Sequence, residues 1–416
     1  MTHRVPLLTL LRDGVPTAEP PAKRARAAGG GAAGTAAAGA AAGAEAAARG
    51  DCYYGDYLRV ERLLSCQAPR SSGAGTSGVP AHDELLFIIT HQAYELWFKQ
   101  ILHELTWVHQ SLGAEVVSEA EHLRVVQRLR RVVKILKLLV AQFEVLETMT
   151  PLDFMEFRGD LEGASGFQSV QFRKLEALLG VPHTAERSAA FDRRLTEADL
   201  AQVGAARETP SLVERVGAWL ERTPGLDGGF DFFSKFEAAT TAALKQQRDG
   251  VLAGVNTRPA KATSSLLAEC AESEAAFRSI FDEGAHALLQ KAGRRHLSRR
   301  AMLGAILIRS YRDQPRFHTA DQILEALMDI DSLMVKWRNE HVLMVHRMIG
   351  NKVGTGGSSG HAYLRSTLDD GMRGFSDLFD LTGFLMPAHQ LPAVTPAFAE
   401  LLHTVPVSTT PERETS

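Results

Sequence analysis

Two histidines and one arginine, each one helical turn from an aromatic side chain, are the residues whose types and spacing suggest chemistry. On a helix, His341 shares a face with Met334, Trp337, Met344, Val345 and Met348. An imidazole on such an apolar, methionine-rich stripe has two readings. It is either a core histidine held by one hydrogen bond, or an axial ligand to haem iron, which needs a neutral imidazole on a rigid apolar element. His346 is the rival ligand, but Arg338, Asn339 and Gly350 give it a mixed, solvent-like face. Phe87 and His91 form a second pair, an aromatic ring and a polar tip suited to framing an indole and accepting its N–H. Phe154 and Arg158 form a third. A guanidinium fork takes a carboxylate through two hydrogen bonds while the ring packs on the rest of an amino acid. The commoner alternative is a surface arginine whose stem covers a core phenylalanine.

Two further segments stand out. Gly354-Thr355-Gly356-Gly357-Ser358-Ser359-Gly360 would let the backbone approach a ligand closely, with hydroxyls for a polar group. It is not a phosphate loop, because no Gly-Lys-Ser/Thr ending opens a helix after a strand. Tyr53-Tyr54-Gly55-Asp56-Tyr57-Leu58 reads as an arm that docks, either on its own core or on a neighbouring subunit.

The elements that must position these residues read as helices. His82–Leu112 and Leu123–Leu146 carry apolar residues every three to four positions. Thr150-Pro151 with Asp153 marks a helix start. Further helices are expected near 210–223, 233–249, 265–291 and 296–312. The last is expected from Thr319 to Ile349 with one possible break, started by a Thr319/Gln322 capping box and stopped at Gly350. Alternating strand patterns are scarce. The expected fold class is all-α, a bundle-like domain over 51–400 with a helical insertion near 180–290. It follows an Ala/Gly-rich leader over 1–50, expected to be disordered, and precedes a flexible tail over 401–416.

Composition narrows the class. With 45% apolar and 23% charged residues the chain reads as soluble and globular. A net charge of −3 argues against a nucleic-acid surface. No apolar run reaches the length that crosses a bilayer, and the short N-terminal run from Val5 to Leu11 holds a proline, so neither a membrane span nor a secretory signal is expected. Lys23-Arg24-Ala25-Arg26 reads as a solvated charge cluster, with a weak targeting signal as the alternative. Cys52, Cys66 and Cys270 form no paired motif and suit a reducing, cytoplasmic compartment.

Four segments taken together carry a resemblance. His82–Gln100, LETMTPLDFMEFR (146–158), SGFQSVQFR (165–173) and MDIDSLMVKWRNEHVLMVHRMIGNKVGTGGSSG (328–360) resemble the tryptophan 2,3-dioxygenase family, in the family's order. The similarity runs from about Tyr53 to Pro392, and the stretch with Trp219-Leu220-Glu221-Arg222-Thr223-Pro224 looks like the longer, animal form. This resemblance implies one haem b per subunit, with His341 as the iron ligand and Trp337, Ser165 and Gly166 beside it. It implies that L-tryptophan and O2 yield N-formyl-L-kynurenine, the first step of the kynurenine route. It implies that His91 orients the indole N–H, Phe87 and Phe154 line the indole slot, Arg158 clamps the carboxylate and Thr355 holds the ammonium. It also implies a homotetramer in which Tyr54, Tyr57 and Leu58 reach into a neighbour's pocket.

Two departures are visible. Gly163 stands where the family commonly has proline, so a looser loop is expected there, and the acidic Glu340 precedes the expected ligand. Enzymes acting on another indole, a haem sensor, and an inactive scaffold are the rival readings.

Overall fold

Eight of the described α-helices begin where a hydroxyl or carboxylate takes up one of the first unpaired backbone N–H groups. The structure is a computed structural model describing residues 52–71, 80–161, 163–182, 192–227, 229–352, 354, 364–365, 368 and 370–402, and no strand occurs among them. The expected leader and residues 403–416 lie outside the described residues. The chain divides into two compact units, Met1–Cys66 and Gln67–Ser416. In the first, α1 (Tyr54–Leu58) and α2 (Val60–Leu64) meet at Arg59, whose φ of 52° breaks the helix.

The second unit holds α3 (Glu84–Leu112), α4 (Glu119–Leu146), α5 (Pro151–Arg158) and α6 (Val170–Leu179). Next come α7 (Glu197–Glu208), α8 (Leu212–Leu220), α9 (Phe232–Ala253), α10 (Ala260–Phe281) and α11 (Glu283–Lys291). It ends with α12 (Arg299–Ser310), α13 (Pro315–Ile349), α14 (Ser376–Asp380) and α15 (Pro396–Leu402). Leu401 and Leu402, expected in the tail, belong to α15, and Leu402 is buried.

Several boundaries follow from local chemistry. α4 starts a turn earlier than its apolar pattern because Ser118 and Glu121 form a reciprocal capping box. α5 starts as expected, with Thr150 capping Asp153 N–H and the Asp153 carboxylate returning to Thr150 N–H at 2.8 Å. The stretch 265–291 is two helices, because Asp282 is extended and its carboxylate caps Ala285 N–H at 2.8 Å. Thr319 does not cap the last long helix. That helix starts at Pro315, whose ring presets helical φ, and runs unbroken for 35 residues. Gln322 instead bonds His318 Nε2 at 2.9 Å, and Gly350 (φ 57°) ends the helix.

α13 packs chiefly against α4, and α4 against α3, giving a bundle whose seam is the core. Ile101, Leu105 and Val108 of α3, Leu129, Val132 and Leu139 of α4, and Ile323, Leu324, Leu327 and Ile330 of α13 have no exposed surface. α12 is apolar nearly all round, as a helix enclosed by others must be. It crosses α8 at Gly304, where an added Cβ would stand 2.2 Å from the Leu220 carbonyl oxygen.

Helix propensity alone favours alanine over glycine at position 304 by about 1 kcal/mol. The contact with backbone outweighs this. Gly304→Ala is expected to lower the urea midpoint, and a raised midpoint would show that α8 and α12 are not in this register.

Candidate active site

α3 and α5 build one wall of a cavity. The Phe87 and His91 ring centroids lie 4.1 Å apart, and Phe154 lies 5.8 Å from Phe87. Phe157, fully buried, braces both at 5.6 and 5.3 Å. His91 Nδ1 is 2.7 Å from the Phe87 carbonyl oxygen. A carbonyl can only accept, so Nδ1 carries the proton and Nε2 keeps its lone pair. Burial lowers the pKa of His91, with the neighbouring Glu95 carboxylate and the bond to Phe87 opposing it. Arg158 ends α5 one turn beyond Phe154, half-buried.

α13 builds the opposite wall. The ring centroid of His341 lies 5.3 Å from Trp337 and 6.1 Å from Phe143, the latter stacked at 24°. Met344, Val345 and Met348 continue the same stripe along the cavity. Burial pushes the His341 pKa down to about 4, and His91 and the Arg173 guanidinium add to the shift. No hydrogen bond satisfies this imidazole among the described residues, in contrast to His91. His346 is exposed and does not line the cavity. Arg338, expected on a solvent-like face, is instead buried because Glu176 pairs with it at 3.1 Å.

The cavity measures about 260 Å³. It brings together Phe87, His91, Phe154, Arg158, Ser165, Gly166, Trp337 and His341. Thr355 lies outside the described residues; Gly354 beside it lines the cavity. Tyr54, Tyr57 and Leu58 belong to the first unit, where they are exposed. Sequence reasoning missed Phe143 and Phe172, whose spacing reads as ordinary core. It also missed the buried trio Arg173, Glu176 and Arg338, although the three-residue spacing of Arg173 and Glu176 is an ion-pair signal.

The donor set bears on what this cavity could hold. A metal ion bound by protein alone needs several side-chain donors, and no group of three or more His, Cys, Asp or Glu suited to a metal occurs among the described residues. A single neutral imidazole on an aromatic, thioether-rich wall fits a flat group that brings its own donors, as a porphyrin does.

The sequence model of one protein family, described as Tryptophan 2,3-dioxygenase, matches residues 38–385. The chain belongs to the tryptophan 2,3-dioxygenase family. The curated tryptophan 2,3-dioxygenase of Xenopus laevis is 46% identical over 365 residues, which span 86% of this chain and 88% of that protein. The family match begins at residue 38, inside the Ala/Gly tract and ahead of the expected start at Tyr53. Gly163 has φ +85°, a conformation closed to proline, whose ring fixes φ near −65°. Glu340 does not line the cavity.

The neutral imidazole of His341 has a consequence for stability. The folded pKa is about 4 against an ordinary value of 6.5, so the unfolded chain takes up the proton first as the pH falls. Stability from the neutral ring is complete above pH 6.5 and is lost as the pH falls through about 4. His122, also pushed to about 4 by burial, adds a similar loss. In the haem-free protein, His341→Phe is expected to make the fall of the urea midpoint over that window shallower. A fall as steep as in the wild type would contradict a buried neutral ring.

Proposed function

We propose that this chain is a haem-dependent dioxygenase that opens the indole ring of L-tryptophan with O2, giving N-formyl-L-kynurenine, and so begins tryptophan catabolism. The observation that carries the reading is one cavity lined by His341, His91, Phe87, Phe154 and Arg158 in a chain of this family. Haem b, one per subunit, would be held through iron by His341, with Trp337, Ser165 and Gly166 against it. When bound, it supplies the activation of O2.

The remaining work is positioning. Arg158 clamps the substrate carboxylate, and Thr355 takes the ammonium. Phe87 and Phe154 hold the indole plane. His91 Nε2 accepts the indole N–H, because Nδ1 is committed to Phe87. Its lowered pKa makes it a poor base, so its role is orientation. Lined largely by aromatic rings, this pocket keeps the reacting bond in one place.

We further infer a homotetramer in which Tyr54, Tyr57 and Leu58 complete a neighbour's pocket. Their exposure supports it, as does the exposed stripe Leu85, Ile89 and Leu96 along α3. No helix among the described residues is long and apolar enough to cross a membrane. The free thiols of Cys52, Cys66 and Cys270 suit the cytoplasm.

The test is optical. Haem-loaded, reduced protein given L-tryptophan in air is expected to form the N-formylkynurenine band; haem binding without that product would overturn the reaction assigned here. Arg158→Ala removes a bidentate pair and is expected to raise KM about tenfold to a hundredfold with haem content unchanged. An unaltered KM would take the carboxylate clamp away from Arg158.

A further inference from the structure

α6 touches both histidine helices within one turn of each histidine. At its start, Gln171 Nε2 donates to the main-chain oxygen and to Oε2 of Glu95, both at 2.8 Å. Glu95 lies four residues after His91 on α3. Five residues further along α6, or ~7.5 Å of helix rise, Glu176 has no exposed surface. Its Oε2 meets Arg173 Nη1 at 2.7 Å and its Oε1 meets Arg338 Nη2 at 3.1 Å. Arg338 lies three residues before His341 on α13, and its Nη1 also donates to the Met372 carbonyl at 2.9 Å. Between these grips Phe172 packs on Phe98 of α3 at 5.4 Å and on Trp337 of α13 at 4.8 Å.

We propose that α6 is a polar strut that sets the spacing of the two histidine walls, with Glu176 the positioning residue for His341 and Gln171 the positioning residue for the His91 side. The inference rests on His341 holding haem iron, as proposed above. Charge-assisted bonds are short and directional, so the Glu176 carboxylate fixes where the Arg338 turn of α13 sits. Without it, the buried Arg338 guanidinium keeps the Met372 carbonyl but loses its carboxylate partner and must shift. The turn that moves is the one before His341, so the imidazole tilts against whatever it ligates. The Gln171 grip acts on α3 instead, through the main-chain oxygen and carboxylate of Glu95, and bears on the indole side.

The test is the iron–histidine stretching band of the haem-loaded ferrous protein, together with the rate of haem loss and the split between kcat and KM. Glu176→Gln is expected to shift the band and to speed haem loss about tenfold, the scale seen when supports of a metal ligand are removed. It should lower kcat with little change in KM, and Glu176→Asp should return the band towards the wild-type position. Gln171→Ala should leave the band in place and raise KM. Arg338→Lys, which keeps the charge but loses the fork, should shift the band as Glu176→Gln does and covers the case in which that variant does not fold. A wild-type band and wild-type haem loss in whichever of Glu176→Gln and Arg338→Lys fold, whatever their thermal stability, would overturn the strut. A wild-type protein without any iron–histidine band would overturn the haem reading beneath it.

Discussion

The seating of α13 against α4 is the constraint on which the cavity depends. One helical stripe runs from Ile323 through Leu327, Ile330, Met334 and Trp337 to His341 and Met348. Its first half is buried without remainder, and its second half lines the cavity. The aliphatic half therefore fixes the rotation at which the imidazole is presented. A slip of one residue would turn His341 by about 100° around the helix axis and out of the site. Length matters as well: with 35 unbroken residues, α13 anchors its N-terminal turns in the core and carries His341 towards the far end.

Polar groups inside this core are tied to partners from distant parts of the chain. Glu104 of α3 receives Arg128 and Arg131 of α4 at 2.9 and 2.6 Å. Asp377 accepts the backbone N–H groups of His296 and Leu297 at 2.8 and 2.6 Å. Glu84 accepts those of Arg70 and Ser71 at 2.7 and 2.9 Å, and these bonds hold its carboxyl below the usual range against the opposing effect of burial. Each buried charge thus fastens two segments while escaping most of its desolvation penalty. His341, half-buried on the cavity wall, has no hydrogen bond of this kind among the described residues, and Ser310 Oγ and Asp377 Oδ1 are likewise buried without one.

What was legible in the sequence follows from the range of each interaction. The three-to-four spacing of α3 and the Thr150–Asp153 cap are local, and they are read correctly because nothing distant overrides them. The Thr319 start failed because Pro315 sets helical φ four residues earlier. Eight of the eleven described candidate residues share one cavity, and six of those eight were legible as pairs four residues apart on one helix face, Phe87/His91, Phe154/Arg158 and Trp337/His341. Arg338 was misread as solvent-facing because its partner Glu176 is 162 positions away. A separation of 76 positions likewise hid Glu95 and Gln171, which look like surface residues of two separate helices until α6 lies between α3 and α13. Gly163, expected to loosen its loop, sits at φ +85°, in the left-handed region that glycine enters freely.

The proposed ligation of iron by the neutral imidazole of His341 is tested most directly by His341→Gly with and without added imidazole. The glycine variant is expected to fold, lose haem, and regain a five-coordinate, imidazole-ligated ferrous haem spectrum when imidazole is supplied. Full haem occupancy with an unchanged histidine-ligated spectrum in the glycine variant would contradict it.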